Sequence, residues 1–133
     1  MHLIVCVDDR DGLSFCGRRL SQDRLLIEHI LRLTKGHVLW MSPYSGKLFS
    51  GENIQIHADF QLNAGMGDYC FLETTPLLDT YGNLESVTLY HWNRHYPSTV
   101  KFPRKLLESM HLESTEEFPG SSHEKITMER FVP

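Results

Sequence analysis

The feature that most constrains this chain is an alternation in its first half. Short, nearly continuous apolar runs take turns with segments of helical pattern. His2-Leu3-Ile4-Val5-Cys6-Val7 opens the series, ending at Asp8-Asp9. A helical stretch follows, with Leu25, Leu26, His29, Ile30 and Leu33 on one stripe, Ser21 placed to cap it and Gly36 just past its end. His37-Val38-Leu39-Trp40-Met41 is apolar almost throughout, as a strand buried on both faces should be. Pro43 then starts a short helix that runs towards Phe49. Residues 53–57 form a brief strand, 59–62 a helical turn and Gly65-Met66-Gly67 a loop, before a second buried strand at 68–73. The order βαβαβαβ predicts a parallel sheet with crossover helices.

The second half changes character. A helical turn is expected over Pro76–Tyr81, then a strand over 86–92 and a loop holding Pro97 and Pro103. Residues 111–117 and 126–131 read as two further strands, joined by the turn-rich stretch FPGSSHEK. The fold class is therefore α/β: a mixed, mainly parallel sheet with flanking helices and a C-terminal antiparallel hairpin, one domain over 1–133.

Composition narrows the function. The chain has 133 residues, 41% hydrophobic and 23% charged, the values of a globular protein. No apolar run approaches the roughly 20 residues of a membrane span, and the first stretch lacks the basic flank of a signal peptide, so no membrane contact and a cytoplasmic location are expected. A net charge of −4 gives no field to attract nucleic acid. Cys6, Cys16 and Cys70 share no metal-type spacing and read as free thiols, with Cys6 and Cys70 buried on neighbouring strands and Cys16 alone reactive. The eight histidines are scattered, and His91 and His95 would not face one way on a strand. No metal site is expected. A two-zinc nuclease of the ribonuclease Z type would need a dense His/Asp cluster, which His2, His37 and His57 do not form.

Two stretches carry a likeness to a known family. In CVDDRDGLSFCGRRLSQDR, a strand ends at Val7-Asp8, a loop with Gly12 follows, and Ser21-Gln22-Asp23 introduces the helix. In the last third, LYHWNRHYPSTVKFP is followed by HLESTEEF and HEKITMERF. Together, over roughly 80 of the 133 residues, this order resembles the dihydrofolate reductase family. The resemblance implies that Asp23 is the acid of the first helical turn that contacts a pterin ring. Tyr90 then stands where the family has a threonine bonded to that acid, its phenol within reach of Asp23. Ile4, Arg18, Arg19, Ile27, Ser45 and Glu73 are the ligand-lining candidates on the same grounds.

The departures bear on activity. The family holds its cofactor's phosphates with a Gly-Arg-x-Thr stretch after the second parallel strand, at a helix N-terminus. Here that place reads Met41-Ser42-Pro43-Tyr44-Ser45, and Pro43 removes a backbone donor. Where the family has a Gly-Gly pair, this chain has Leu72-Glu73-Thr74-Thr75, with a carboxylate facing the expected path of a pyrophosphate. Between Phe49 and Asn53 there is room only for a turn, where the family has a strand and a folate-binding arginine. The resemblance with these losses implies a divergent member without NADPH binding or reductase activity. No cofactor is then expected, and the partner is an unidentified small molecule, heteroaromatic or nucleotide-like, held by Asp23 and the flexible loop from Asp8 to Leu20, or else a protein. The C-terminal strand and the surface near Trp92 would be contact faces in the second case, with Trp40, Tyr44 and Tyr90 filling the cleft. The alternative is an active pterin, folate or other NAD(P)H-dependent reductase. Independently of any resemblance, an acid in the first turn of a helix reads first as a partner of the helix dipole, satisfied by backbone donors.

Overall fold

The computed structural model describes residues 1–78 and 84–133. Its core is a strand with neighbours on both sides. β1 (His2–Val7) runs parallel to β6 (Tyr69–Leu72) on one flank and to β7 (Ser86–His91) on the other. Beyond β6 lie β4 (Leu39–Met41) and β5 (Ile54–Ile56), both parallel to their neighbours. Beyond β7 lies the antiparallel pair β10 (Ile126–Val132) and β9 (His111–Phe118), giving the order β5-β4-β6-β1-β7-β10-β9. The expected parallel strands and closing hairpin are all present.

Alternation along β1 explains the layers. Ile4 and Cys6 face one side, where α1 (Arg24–Leu33) contributes Leu26 and Ile30 to a cluster with Met41, Phe71, Tyr90 and Ile126. Leu3, Val5 and Val7 face the other side, towards Phe60 of α3 (Phe60–Asn63), Leu89, Phe102 and Leu107. Cys6 and Cys70 are accordingly buried on adjacent strands but on opposite faces, while Cys16 is exposed. Burial pushes the Cys70 thiol up to about 12 and the Cys6 thiol well above its usual value.

Four expectations need correction. The stretch from Asp8 to Leu20 is not a flexible loop: β2 (Gly12–Phe15), β3 (Arg18–Arg19) and β8 (Val100–Lys101) form a separate antiparallel sheet. Cys16 and Gly17 both have positive φ, 49° and 79°, which is the backbone of a two-residue hairpin turn between paired Phe15 and Arg18. The buried Asp8 carboxylate shapes the entry to that hairpin by accepting from the backbone N–H groups of Arg10, Gly12 and Tyr96. Second, α1 begins after Asp23 rather than under a Ser21 cap. Third, Trp92 is buried rather than surface-forming, and its ring stacks on His123 at 4.7 Å. Fourth, Pro76–Leu78 is irregular, and the rest of the turn expected to Tyr81 lies outside the described residues.

Candidate functional site

Two buried carboxylates lie near the ends of α1 and β6, and each is built from a different local logic. Asp23 is the N-cap of α1, with extended backbone (φ −154°, ψ 125°), and its Oδ1 accepts from the N–H of Leu25 (3.0 Å) and Leu26 (3.2 Å). The loop between β9 and β10 folds back over the same carboxylate. The Ser121 N–H reaches Oδ1 at 3.0 Å and the Ser122 N–H reaches Oδ2 at 2.8 Å. Both serine hydroxyls add to these, and His123 Nδ1 lies 2.9 Å from Oδ2. Gly120 is what permits this closure, since a Cβ there would sit 2.5 Å from Oδ2.

Burial alone would raise the Asp23 pKa. The donors from Ser121, His123, Ser122 and Leu26 outweigh it and hold the group well below the usual carboxylate range. Asp23 is thus an ionised cap saturated with donors, not an acid in the first helical turn. That corrects the expected position, and it leaves the carboxylate without a proton to donate at neutral pH.

The histidine's other nitrogen extends the network. His123 Nε2 is 3.0 Å from Ser21 Oγ and 3.5 Å from the Tyr96 hydroxyl. Beside the clasp lies a cavity of about 380 Å³, lined by Gln22, Asp23, Arg24, Ile27, Leu48, Ser121 and Ser122.

Glu73 follows β6 directly, at the carboxyl end of the parallel strands. It is only 8% exposed, and Arg19 of β3 reaches it twice, through Nε to Oε2 at 2.7 Å and Nη2 to Oε1 at 3.3 Å. The hydroxyl of Ser45, on α2 (Pro43–Gly46), donates to Oε1 at 2.7 Å. The Arg19 guanidinium also lies 4.2 Å above the Tyr44 ring.

The anticipated site residues therefore separate. Arg19, Ser45 and Glu73 come together, and Asp23 and Ile27 share the cavity wall. Arg18 points to solvent, and Ile4 has no exposed surface, packed under α1. The Tyr90 hydroxyl does not bond Asp23: it meets His29 Nδ1 at 2.7 Å, and His29 Nε2 continues to Glu116 at 2.9 Å. Desolvation raises the Tyr90 pKa strongly, as expected of a phenol with no exposed surface. Nor do Trp40 and Tyr90 fill a cleft. Trp40 packs at the edge of the second core cluster, its indole N–H on Asp68, and Tyr90 is core.

Ser21, His29, Ser121, Ser122 and His123 carry polar networks that the sequence did not single out. Their partners are about 60 to 100 positions away, so no local pattern could have announced them. Among the described residues, no group of three or more His, Cys, Asp or Glu could hold a metal ion, and no helix is long and apolar enough to cross a membrane.

No protein-family model matches the sequence, and no curated protein matches it. Among solved structures the chain is similar to the dihydrofolate reductase from Enterococcus faecalis complexed with NADP(H) and RAB-propyl. The TM-score is 0.70 at 7% sequence identity, over 98% of this chain and 94% of that one. At that identity the likeness concerns architecture, and nearly end to end it shows that this chain has the dihydrofolate reductase-like fold.

Proposed function

We propose that this chain neither binds NADPH tightly nor reduces dihydrofolate, and that it takes a small non-redox ligand in the cavity beside Asp23 and Ile27. The observation that carries the reading is the Arg19–Glu73–Ser45 cluster. In open parallel sheets a dinucleotide enters the crevice outside the carboxyl ends of the strands. Here that position, next to the ends of β4 and β6, holds a buried carboxylate that is already satisfied by an arginine and a serine. A phosphate arriving there would meet like charge, or would have to displace charge-assisted bonds worth about 1.5–3 kcal/mol each. Two such losses weaken binding by a factor of about 100 or more.

The cavity by α1 supports the second half of the reading. Its volume of about 380 Å³ is in the range of small-ligand sites, and Ile27 and Leu48 give it an apolar wall beside polar Gln22, Arg24 and the two serines. A ring-shaped or nucleotide-like ligand is the class that fits such lining. A cytoplasmic location is part of this proposal, and the three free thiols support it.

The test is titration with NADPH by calorimetry at low salt, alongside a thermal-shift panel of pterins, folates and nucleotides. Binding of NADPH weaker than about 100 µM, no dihydrofolate turnover, and a melting shift with a member of the panel are expected. Micromolar NADPH binding or steady turnover of dihydrofolate would sink the reading.

A further inference from the structure

The hydrogen-bond line that leaves Asp23 has an order with chemical meaning. The Asp23 carboxylate is ionised and accepts only, so the proton between it and His123 belongs to His123 Nδ1. In the imidazole tautomer with its proton on Nδ1, Nε2 is the free nitrogen, and at 3.0 Å its partner is the hydroxyl of Ser21. A hydroxyl, an imidazole and a carboxylate are thus joined in the sense that activates a serine: base to nucleophile, orienting carboxylate to base.

The line is also held rigidly. The Asp23 side chain is fully buried and that of His123 is 2% exposed, with the Trp92 ring stacked on the imidazole. Ser21 is half-buried, at the end of the line away from Asp23, and lies beside the cavity wall in sequence without being part of it. Next in the chain, Gln22 lines the 380 Å³ cavity together with Asp23, Ser121 and Ser122. Among the described residues the Gln22 backbone N–H has no backbone acceptor. The N–H following the nucleophile is where oxyanion donors are found in sites of this kind.

From these observations we propose that Ser21 is a nucleophile with His123 as its general base, and that the site cleaves small carboxylic esters. Asp23 is a positioning residue that fixes the tautomer. Ser21 Oγ attacks the ester carbonyl carbon as its proton passes to His123 Nε2. The bond from that carbon to the alkoxy oxygen breaks, and Nε2–H returns the proton to the departing oxygen, releasing an alcohol. Water then adds to the acyl-Ser21, giving its proton to Nε2. Ser21 Oγ leaves and takes the proton back, releasing a carboxylic acid. The substrate's location rests on the cavity assigned above, whereas the reactivity of Ser21 rests on the relay alone.

A fluorophosphonate probe tests the chemistry without needing the natural substrate. The folded protein is exposed to it, digested and mapped by mass spectrometry. One adduct is expected, on Ser21, and labelling should fall at least about 100-fold after urea unfolding and to a similar extent in His123→Gln per folded molecule. Asp23→Asn, compared at equal folded fraction, should slow labelling at Ser21 as well, which a purely structural cap would not do. Ser21→Ala should be unlabelled and should lose any hydrolysis of 4-nitrophenyl acetate. No adduct in the folded protein, an adduct on Ser121 or Ser122 instead, or labelling that survives unfolding would overturn the proposal. A negative ligand panel with a positive Ser21 adduct would refute the small-ligand reading and leave the relay standing.

Discussion

Asp23 and Glu73 are both buried acids, one at the start of α1 and the other just past the end of β6, yet they are held by different kinds of partner. Four of the groups that hold Asp23 are backbone N–H donors, from Leu25, Leu26, Ser121 and Ser122. Every bond to Glu73 comes from a side chain, Arg19 or Ser45. The difference decides what can change. A side-chain partner can be exchanged together with the acid, but backbone donors remain whatever residue replaces it. The Asp23 end is therefore part of the fold, tying the hairpin loop to the start of α1. The Glu73 end is a pair set into a cleft whose frame does not depend on it.

Removing Asp23 should have the largest consequence. Asp23→Ala strips the cap from α1 and leaves the N–H groups of Ser121 and Ser122 and the His123 ring buried without acceptors. Breaking one side of a buried charged network costs about 3–5 kcal/mol. For a chain of this length that is a fall of roughly 10–18 °C in melting temperature. Calorimetric melting of the variant would measure it. A drop under about 3 °C would mean that the loop closes over α1 by packing and not through the carboxylate.

Glu73 should respond less and, unlike Asp23, should be rescuable. Glu73→Gln keeps the shape and leaves Arg19 with a neutral partner and some access to water, at a cost of about 1–2 kcal/mol. Replacing both partners by methionine should return stability to within about 1 kcal/mol of the parent, because a buried ion pair seldom exceeds its apolar equivalent. A double variant less stable than the single one by chemical denaturation would contradict the comparison, making the Glu73 pair as structural as the Asp23 clasp.

What could be read from the chain beforehand follows the same division. β1, β4 and β6 were legible because a strand buried on both faces needs continuous apolar residues, and 2–7, 39–41 and 69–72 supply them. The closing hairpin was legible from its turn-rich joint. The β2–β3 hairpin was not, because its turn is Cys16-Gly17 and not the Asn-Gly or Asp-Gly pair that marks such turns. Position relative to a cap was missed at Asp23, since Ser21 is as good a capping residue and only the return of the 120–123 loop selects between them. Glu73 was visible as an awkward charge at a strand end, but its partner Arg19 is 54 positions away and nothing local pairs them.

The smallest expected effect is the one that reads the charge on Asp23 directly. Its folded pKa is depressed, so the stabilisation it brings is complete above the unfolded value, near 3.9, and is lost as the pH falls through that value towards the folded one. Asp8, also depressed by backbone donors from Tyr96, Gly12 and Arg10 despite its burial, moves in the same sense, and His2, whose burial lowers its pKa, weakens the fold from a higher pH. Subtracting Asp23→Asn from the parent removes both of those contributions and leaves Asp23 alone. The difference in unfolding free energy should be flat between pH 7 and about pH 5. It should shrink by about 0.4 kcal/mol at pH 4 and about 1.3 kcal/mol at pH 3, as the unfolded chain takes up a proton that the folded one refuses. Urea unfolding at each pH would measure it. A difference that stays constant down to pH 3 would mean the carboxylate is no more acidic in the fold than in the unfolded chain. The donors from the hairpin loop would then contribute geometry without stabilising the charge.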